Sequence, residues 1–232
     1  MQILSHIQGS VRGALSSLVG VWTRYNESAL GIQTEPRAVD VHIPDPTQPW
    51  KGLFSDKAGN QDNFRYGTIG YRNIRKILEI LNPGPDDVFY DIGAGMGRVL
   101  CVAAQKPMRK CVGIELLEPL CETARKNAGQ MRGKKAPIQI RCADASTSDL
   151  SDGTIYFLFN PFGPKTLQDT LENIRQSLEQ NPRAIKIAYY HSKHRSVFDS
   201  QEWLVQVHDF PNFGGHPVAI WENRHSWMSK AS

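Results

Sequence analysis

The sequence predicts an α/β fold, a doubly wound, mostly parallel seven-strand sheet with a C-terminal antiparallel hairpin and an N-terminal helical and irregular extension. Three observations predict it. From Val88 onward, short apolar runs alternate with segments of helical periodicity. A glycine-rich stretch, 93–97, joins the first of these runs to a helix. The last two apolar runs are separated by Gly214-Gly215, which is typical of a hairpin turn.

The bulk composition is that of a globular protein. The 232 residues are 40% hydrophobic and 22% charged, with a net charge of +4, too small to indicate a nucleic-acid partner. We expect an N-terminal helix and irregular, lid-like segment over 1–65 and a ligand-binding domain over 66–232. No run approaches ~18 apolar residues, so no transmembrane segment is expected and the predicted location is cytoplasmic.

The four cysteines predict free thiols. They lie in helix or strand contexts with no Cys-x-x-Cys pair, which is typical of unpaired thiols in a reducing compartment. His191 and His194 have a spacing that can bind metal, but no third ligand follows from the sequence. No metal site is therefore expected.

The first 25 residues, Met1 to Tyr25, predict an amphipathic helix. One face, expected to be buried, recurs at steps of three and four and comprises Ile7, Val11, Leu15, Leu18 and Trp22. The same stretch contains Arg12 and Arg24 but no acidic residue, a composition shared by organelle transit peptides. The structural helix is the preferred interpretation, and organelle import stays open.

The stretch from Asn26 to Asp62 has no clear periodicity and is rich in Pro, Gly, Asp and Gln. It is too long for a simple connection, so it is either a lid over a site or an ordered surface coil. A helix follows, for which Thr68 is the predicted N-cap. Its apolar face comprises Tyr71, Ile74, Ile77, Leu78 and Leu81, and Asn82-Pro83-Gly84-Pro85 ends it.

The remaining elements alternate regularly. The predicted strands are Val88–Tyr90, Cys111–Leu116, Ile138–Cys142, Thr154–Phe159, Ala184–Tyr190, Trp203–Phe210 and Pro217–Trp221. The predicted helices between them are Arg98–Gln105, Pro119–Met131 and Pro164–Gln180. Such an order favours right-handed crossovers and a parallel sheet covered on both faces.

Polar residues stand at the ends of five predicted strands, and they are Asp91, Glu115, Asp144, Asn160 and His191. Because ligands of such sheets lie beyond the carboxyl ends of the strands, this edge is the predicted site. An acid at the end of the second strand, here Glu115, commonly binds ribose hydroxyls. Asp144 either contacts the ligand or caps a turn.

The stretch Asp91-Ile-Gly-Ala-Gly-Met-Gly97 resembles motif I of the class I S-adenosylmethionine (SAM) methyltransferases, and the resemblance extends from Tyr66 to about Tyr189. It implies SAM as the cofactor. Asp91 would orient its methionyl part, against which the glycine turn packs. Asp144 would meet the adenine amino group, with Ala145 beside the ring. The turn's glycines are Gly93, Gly95 and Gly97.

Two further stretches resemble methyltransferase motifs. Arg65-Tyr66-Gly67-Thr68 is similar to the Tyr-Gly-Glu-Thr loop of the non-SET histone lysine methyltransferases, although it lacks the glutamate. It implies a cofactor contact from Tyr66 or Thr68. Asn160-Pro161-Phe162 resembles the Asn-Pro-Pro-Tyr corner of amino-group methyltransferases, without its second proline. It implies that Asn160 lies beside the cofactor methyl and orients an attacking nitrogen, with Phe162 packed on the substrate.

His191 is a candidate general base, because an unperturbed histidine titrates near pH ~6.5; a structural histidine is the alternative. For the whole chain, the leading hypothesis is a SAM-dependent methyltransferase that acts on a small molecule or a protein side chain, with nitrogen favoured as the acceptor atom. The alternatives are an NAD-type oxidoreductase, whose Gly-x-Gly-x-x-Gly fingerprint is absent here, and a non-catalytic SAM-binding module.

Overall fold

A computed structural model describes residues 19–35 and 67–224 of the chain. Its helices are residues 19–30 (α1), Tyr71–Leu81 (α2), Arg98–Ala103 (α3), Glu118–Gln130 (α4), Pro164–Gln180 (α5) and Arg195–Asp199 (α6). Its strands are Val88–Ile92 (β1), Lys110–Glu115 (β2), Ile138–Cys142 (β3), Ile155–Phe159 (β4), Lys186–Tyr190 (β5), Leu204–Phe213 (β6) and His216–Asn223 (β7). The short helix α6 is the one described element that the sequence did not predict.

The seven strands form one sheet in the order β3-β2-β1-β4-β5-β7-β6. The first five pair in parallel, while β7 is antiparallel to both β5 and β6. The predicted mixed sheet and its C-terminal hairpin are therefore confirmed. Strand β1 lies inside the sheet and every one of its residues is buried, which fits a sequence that is apolar except for Asp91.

Two apolar clusters cover the two faces of the sheet. Because side chains alternate along a strand, Phe89 and Phe157 pack with residues of α2 and α3, whereas Tyr90 and Tyr156 pack with residues of α5. Both aromatic pairs stack across neighbouring strands, with ring centroids 6.5 and 5.6 Å apart respectively. This two-sided core is the doubly wound arrangement that the sequence predicted.

Helix α2 buries the predicted apolar face, but its predicted cap is wrong. Gly70 is the N-cap residue, and no side-chain hydrogen bond caps the helix. Thr68 instead lies in the irregular stretch before α2 and lines a small cavity with Asp91. At the other end, Asn82 adopts a left-handed conformation (φ 45°) and donates its backbone N–H to the Leu78 carbonyl, as a helix C-cap does.

The N-terminal helix differs from the prediction within its described part. It continues to residue 30, and the side chain expected to be buried, Trp22, is 57% exposed. The buried residues on α1 are Asn26, Glu27 and Leu30. Hydrophobic periodicity pointed to the wrong face because this helix docks largely through polar groups. Residues 1–18, and with them the other four positions of the predicted face, lie outside the described residues.

Residues 31–35 continue from α1 as an ordered stretch, with Ile32 only 2% exposed in the core. The rest of the predicted lid, 36–62, lies outside the described residues, as do the proposed boundary between 65 and 66 and Tyr66. All four cysteines are free thiols, as predicted. Among the described residues, no helix is long and apolar enough to cross a membrane.

Candidate active site

The glycine turn leads from the end of β1 into α3. Gly93, Gly95 and Gly97 all have positive φ angles, 78°, 54° and 81°, which L-residues with a side chain rarely adopt. The backbone N–H groups of Gly93 and Ala94 donate to the Ile114 carbonyl at 2.9 and 3.0 Å, which fastens the turn to β2. The sequence therefore needs glycine here for conformation as well as for access.

Gly93 also brings the two halves of the predicted site into contact. A Cβ atom placed on Gly93 would lie 2.5 Å from the Cβ of Pro161, far inside van der Waals contact. Pro161 belongs to the Asn-Pro-Phe corner at the end of β4. The glycine turn and this corner are thus packed directly against each other, as a shared site requires.

Asp91 is a buried carboxyl group at the end of β1, only 2% exposed. Burial, and to a lesser extent the charge of Glu115, raise its pKa from 3.8 to about 8. No donor within the described residues bonds its carboxyl group. Asp91 lines a small cavity whose other walls are Gly67, Thr68, Ile69, Gly93, Ala94, Arg98, Val99 and Phe159. A buried acid that faces a cavity and has no donor among residues 19–35 and 67–224 fits a site for a ligand with cationic or donor groups.

Glu115 stands at the end of β2, as predicted, and braces the glycine turn. Its carboxylate accepts backbone N–H bonds from Gly95 at 2.8 Å, Leu116 at 2.9 Å and Leu117 at 3.0 Å. Burial raises the pKa of Glu115, and these three hydrogen bonds oppose that shift. Its predicted contact with ribose stays a prediction.

Asp144 follows β3 and shapes a turn. One of its carboxylate oxygens accepts hydrogen bonds from the backbone N–H and the hydroxyl of Ser146, at 2.8 and 2.7 Å. These bonds match the turn-capping interpretation. Ala145 is only 6% exposed and packs in the apolar cluster with Tyr90. The predicted adenine contacts of Asp144 and Ala145 stay predictions.

Asn160 occupies the end of β4 in a left-handed conformation (φ 41°) and is 8% exposed. Its amide oxygen accepts a hydrogen bond from the Tyr189 hydroxyl at 2.7 Å, and the backbone of His194 bonds the same hydroxyl. This chain of bonds fixes the direction of the Asn160 side chain. Tyr189 is a residue that sequence reasoning missed.

Phe162 does not line the cavity beside Asp91. It is 6% exposed and packs in the apolar cluster with Leu167 behind the corner. The aromatic side chain in the cavity wall is Phe159, which precedes Asn160. The alternation of side chains along β4 predicts this position, because Phe159 lies on the same face of the strand as Phe157. That face is the one covered by α3, which follows the glycine turn.

His191 follows β5 with φ 56° and lies near this wall, its ring 6.3 Å from that of Phe159. The hairpin brings His216 to 4.2 Å from it, between ring centroids. Burial lowers the pKa of His191 from 6.5, and the neighbouring charges of His216 and Lys193 lower it further. The imidazole is therefore neutral at pH 7 and can accept a proton.

One group of possible metal ligands lies elsewhere, at the start of α4. Ligand atoms of Glu118, Cys121 and Cys142 come within 4.8 Å of one another. The Cys121 thiol donates to the Glu115 carbonyl and the Cys142 thiol to the Leu116 carbonyl, at 3.4 and 3.6 Å. Glu118 pairs with Arg125. These protein partners account for the cluster without an ion, and the expectation of no metal stays a prediction.

The sequence around the glycine turn is similar to that of known methyltransferases. Residues 56–139 match the family described as histone methylation protein DOT1. A Caenorhabditis elegans histone-lysine N-methyltransferase, H3 lysine-79 specific, is 38% identical over 68 residues, 29% of this chain and 7% of that protein. A Saccharolobus islandicus protein-lysine N-methyltransferase is 30% identical over 87 residues, 37% of this chain and 53% of that protein. The chain thus spans about half or less of the length of these curated relatives.

Among solved structures, an RNA methyltransferase from Salinibacter ruber in complex with S-adenosyl-L-homocysteine (SAH) has the same fold, with a TM-score of 0.53 and 22% identity. The likeness covers 69% of this chain and 95% of that one. The chain therefore has the fold of the class I, SAM-dependent methyltransferases, and its residues 56–139, which contain the glycine turn, are similar in sequence to lysine methyltransferases of that class. SAM is the cofactor of this class.

Proposed function

We propose that this protein transfers a methyl group from SAM to the side-chain amine of a lysine in a protein acceptor. The observation that carries the proposal is the direct packing of the glycine turn on the Asn-Pro-Phe corner, through Gly93 and Pro161. This contact supports the proposal because it would bring the cofactor and the acceptor together at one edge of the sheet. The two curated relatives, both named as lysine methyltransferases, supply the choice of lysine.

The residues present fit SAM. Asp91 offers a buried carboxyl group to the cationic methionyl part, and the glycine turn leaves room for it. We assign the ribose hydroxyls to Glu115, the adenine to Asp144 and Ala145, and a further contact to Thr68, which lines the same cavity as Asp91. When bound, SAM would supply an electrophilic methyl group for in-line attack by a neutral amine, with SAH as the leaving group.

The protein's part in the chemistry is to align the amine and to receive its proton. Asn160 lies at the end of β4, and the Tyr189 hydroxyl fixes the direction of its side chain. There the side-chain or backbone carbonyl oxygen of Asn160 can accept a hydrogen bond from an amine. Phe159 supplies an apolar wall that excludes water. Phe162 packs in the apolar cluster with Leu167 and so stabilises the Asn-Pro-Phe corner. These contacts would favour a desolvated, neutral amine over a hydrated ammonium.

His191 is the proposed proton acceptor. A lysine ammonium must lose a proton before its nitrogen can attack, and the lowered pKa of His191 keeps the imidazole free to accept it at neutral pH. His216 lies beside His191, with ring centroids 4.2 Å apart, and its electrostatic effect lowers the pKa of His191, which disfavours the protonated form. The proton would therefore pass on to solvent and not stay on the ring.

The test is to incubate the purified protein with SAM carrying a deuterated methyl group and a protein extract. We expect SAH to accumulate and the label to appear on lysine, read by mass spectrometry of peptides. An Asn160→Ala protein that still binds SAH serves as the matched control. Label on RNA, on a small molecule or on another side-chain type would refute the lysine assignment. SAH binding without turnover on any acceptor would favour a non-catalytic module.

A further inference from the structure

Arg98 follows the last glycine of the turn and is almost completely buried, 5% exposed. Its guanidinium donates to the Thr34 hydroxyl at 2.6 Å and to the Ile69 carbonyl at 3.2 Å. It also forms ion pairs with Glu35 at 2.5 Å and with Glu27 at 3.5 Å. One side chain beside this cavity thus contacts two stretches of chain, residues 27–35 and Ile69.

A second buried side chain repeats this connection from helix α4. The Asn127 side chain, 1% exposed, donates to the Gln33 carbonyl at 2.7 Å and accepts from the Gln33 N–H at 2.9 Å. The same amide donates to the Met96 carbonyl at 2.9 Å. Because Met96 lies inside the glycine turn, the Asn127 side chain connects residue 33 to the turn.

The network also closes on itself. Glu27 accepts hydrogen bonds from the backbone N–H and the hydroxyl of Thr34, at 2.7 and 2.6 Å. Thr34 is fully buried and Glu27 is 9% exposed. A buried guanidinium and carboxylate persist only when they compensate each other, so removing one leaves the other unpaired. The docking of 26–35 therefore depends on Arg98.

We propose that residues 26–35 belong to the cofactor site, as a brace behind the glycine turn, and that Arg98 is the positioning residue that couples docking of this brace to cofactor binding. The inference rests on the proposed function. Glu27 has no place in the cavity wall, so its effect on the cofactor would act through Arg98. Arg98 itself lines the cavity next to Asp91 and the turn.

The test compares two ligands by calorimetry, SAH and 5′-methylthioadenosine, which lacks the amino-acid end of SAH. Arg98→Gln should weaken SAH binding about 10-fold, within the usual range of coupling between two sites. The affinity for 5′-methylthioadenosine should change by less than about 3-fold, because the ribose and adenine contacts do not involve residues 26–35. Glu27→Gln should reproduce this pattern, and Arg98→Lys should restore part of the affinity for SAH.

Arg132→Gln is the matched control. Arg132 is exposed and bonds the same segment at the Ser28 carbonyl, 3.4 Å away, without touching the turn. It should leave both affinities unchanged. Hydrogen exchange adds a second readout: SAH should slow exchange in 26–35 in the unmodified protein and not in Arg98→Gln.

The outcomes separate the inference from the function on which it rests. No SAH binding by the unmodified protein would overturn the proposed function. If the unmodified protein binds SAH and Arg98→Gln binds it with the same affinity, the inference about the brace is overturned and the proposed function is not. Equal weakening of both ligands in Arg98→Gln would mean general destabilisation and would also overturn it. A loss in Arg98→Gln that Glu27→Gln fails to reproduce would point to direct ligand contact by Arg98 and against the brace.

Discussion

Replacing Asp91 by Asn should stabilise the unliganded protein while weakening cofactor binding. In the unfolded chain this carboxyl group loses its proton near pH 3.8, whereas in the folded chain burial raises the pKa to about 8. Between these two values the folded chain holds a proton that the unfolded chain has released. Stability therefore falls as pH rises from about 4 to 8, and is unaffected by this group below that window.

The size of the effect follows from that window. At ~1.36 kcal/mol for each pH unit, the three units between pH 4 and pH 7 give an upper bound of roughly 4 kcal/mol. Relaxation and water entry reduce such penalties, so we expect a gain of about 2 kcal/mol for Asp91→Asn at pH 7. For a chain of this length, that gain raises the melting temperature by ~4–8 °C.

Denaturant unfolding between pH 5 and pH 8.5 measures this effect directly. The difference between Asp91→Asn and the unmodified protein should grow with pH, and SAH affinity should fall because the variant has no carboxylate for the methionyl ammonium. Glu122→Gln, an exposed change on α4, is the control. A stability difference that does not grow with pH, or unchanged SAH affinity, would refute the reasoning.

Three further changes test the remaining site residues. Glu115→Gln should weaken SAH binding by at least ~10-fold, because the carboxylate's charge-assisted bonds are lost; unchanged affinity in calorimetry would remove Glu115 from the ribose site. Asn160→Ala should bind SAH nearly normally and lose ~100-fold in turnover, and near-normal turnover would exclude it from the mechanism. Because His191 accepts protons only when neutral, turnover should fall as pH drops through its pKa, below 6.5. His191→Asn should remove that acid limb from the pH profile, whereas an unchanged limb would assign it to another group.

The sheet and its polar edge could be predicted because each strand carries its own signal. β1, β2 and β4 are short apolar runs, and a polar residue ends each of them. Parallel strands bring those ends to one edge whatever the details of packing. For this reason the places of Asp91, Glu115 and Asn160 were predictable from the order of elements alone.

The docking of the N-terminal helix was not predictable in the same way. Hydrophobic periodicity assigned the inner face to Trp22, yet the helix buries Asn26 and Glu27, whose partners are distant in sequence. Arg98 lies 71 residues after Glu27, and no local pattern reveals that the two pair. Thr68 was chosen as a cap for its hydroxyl group, but the backbone continues past it to Gly70.

The contact between Gly93 and Pro161 explains how the site could keep cofactor and acceptor in register. Gly93 packs against Pro161 where β1 and β4 end as neighbouring parallel strands, with Asp91 paired in register with Phe157. The distance between Gly93 and Pro161 is therefore set by the hydrogen bonds of the sheet and by packing so close that Gly93 could not carry a side chain. The rate of an in-line methyl transfer is sensitive to the distance between the attacking atom and the methyl carbon. A rigid sheet controls that distance better than mobile side chains can. On this reasoning Gly93 contributes to the alignment of the reacting groups as well as to the turn.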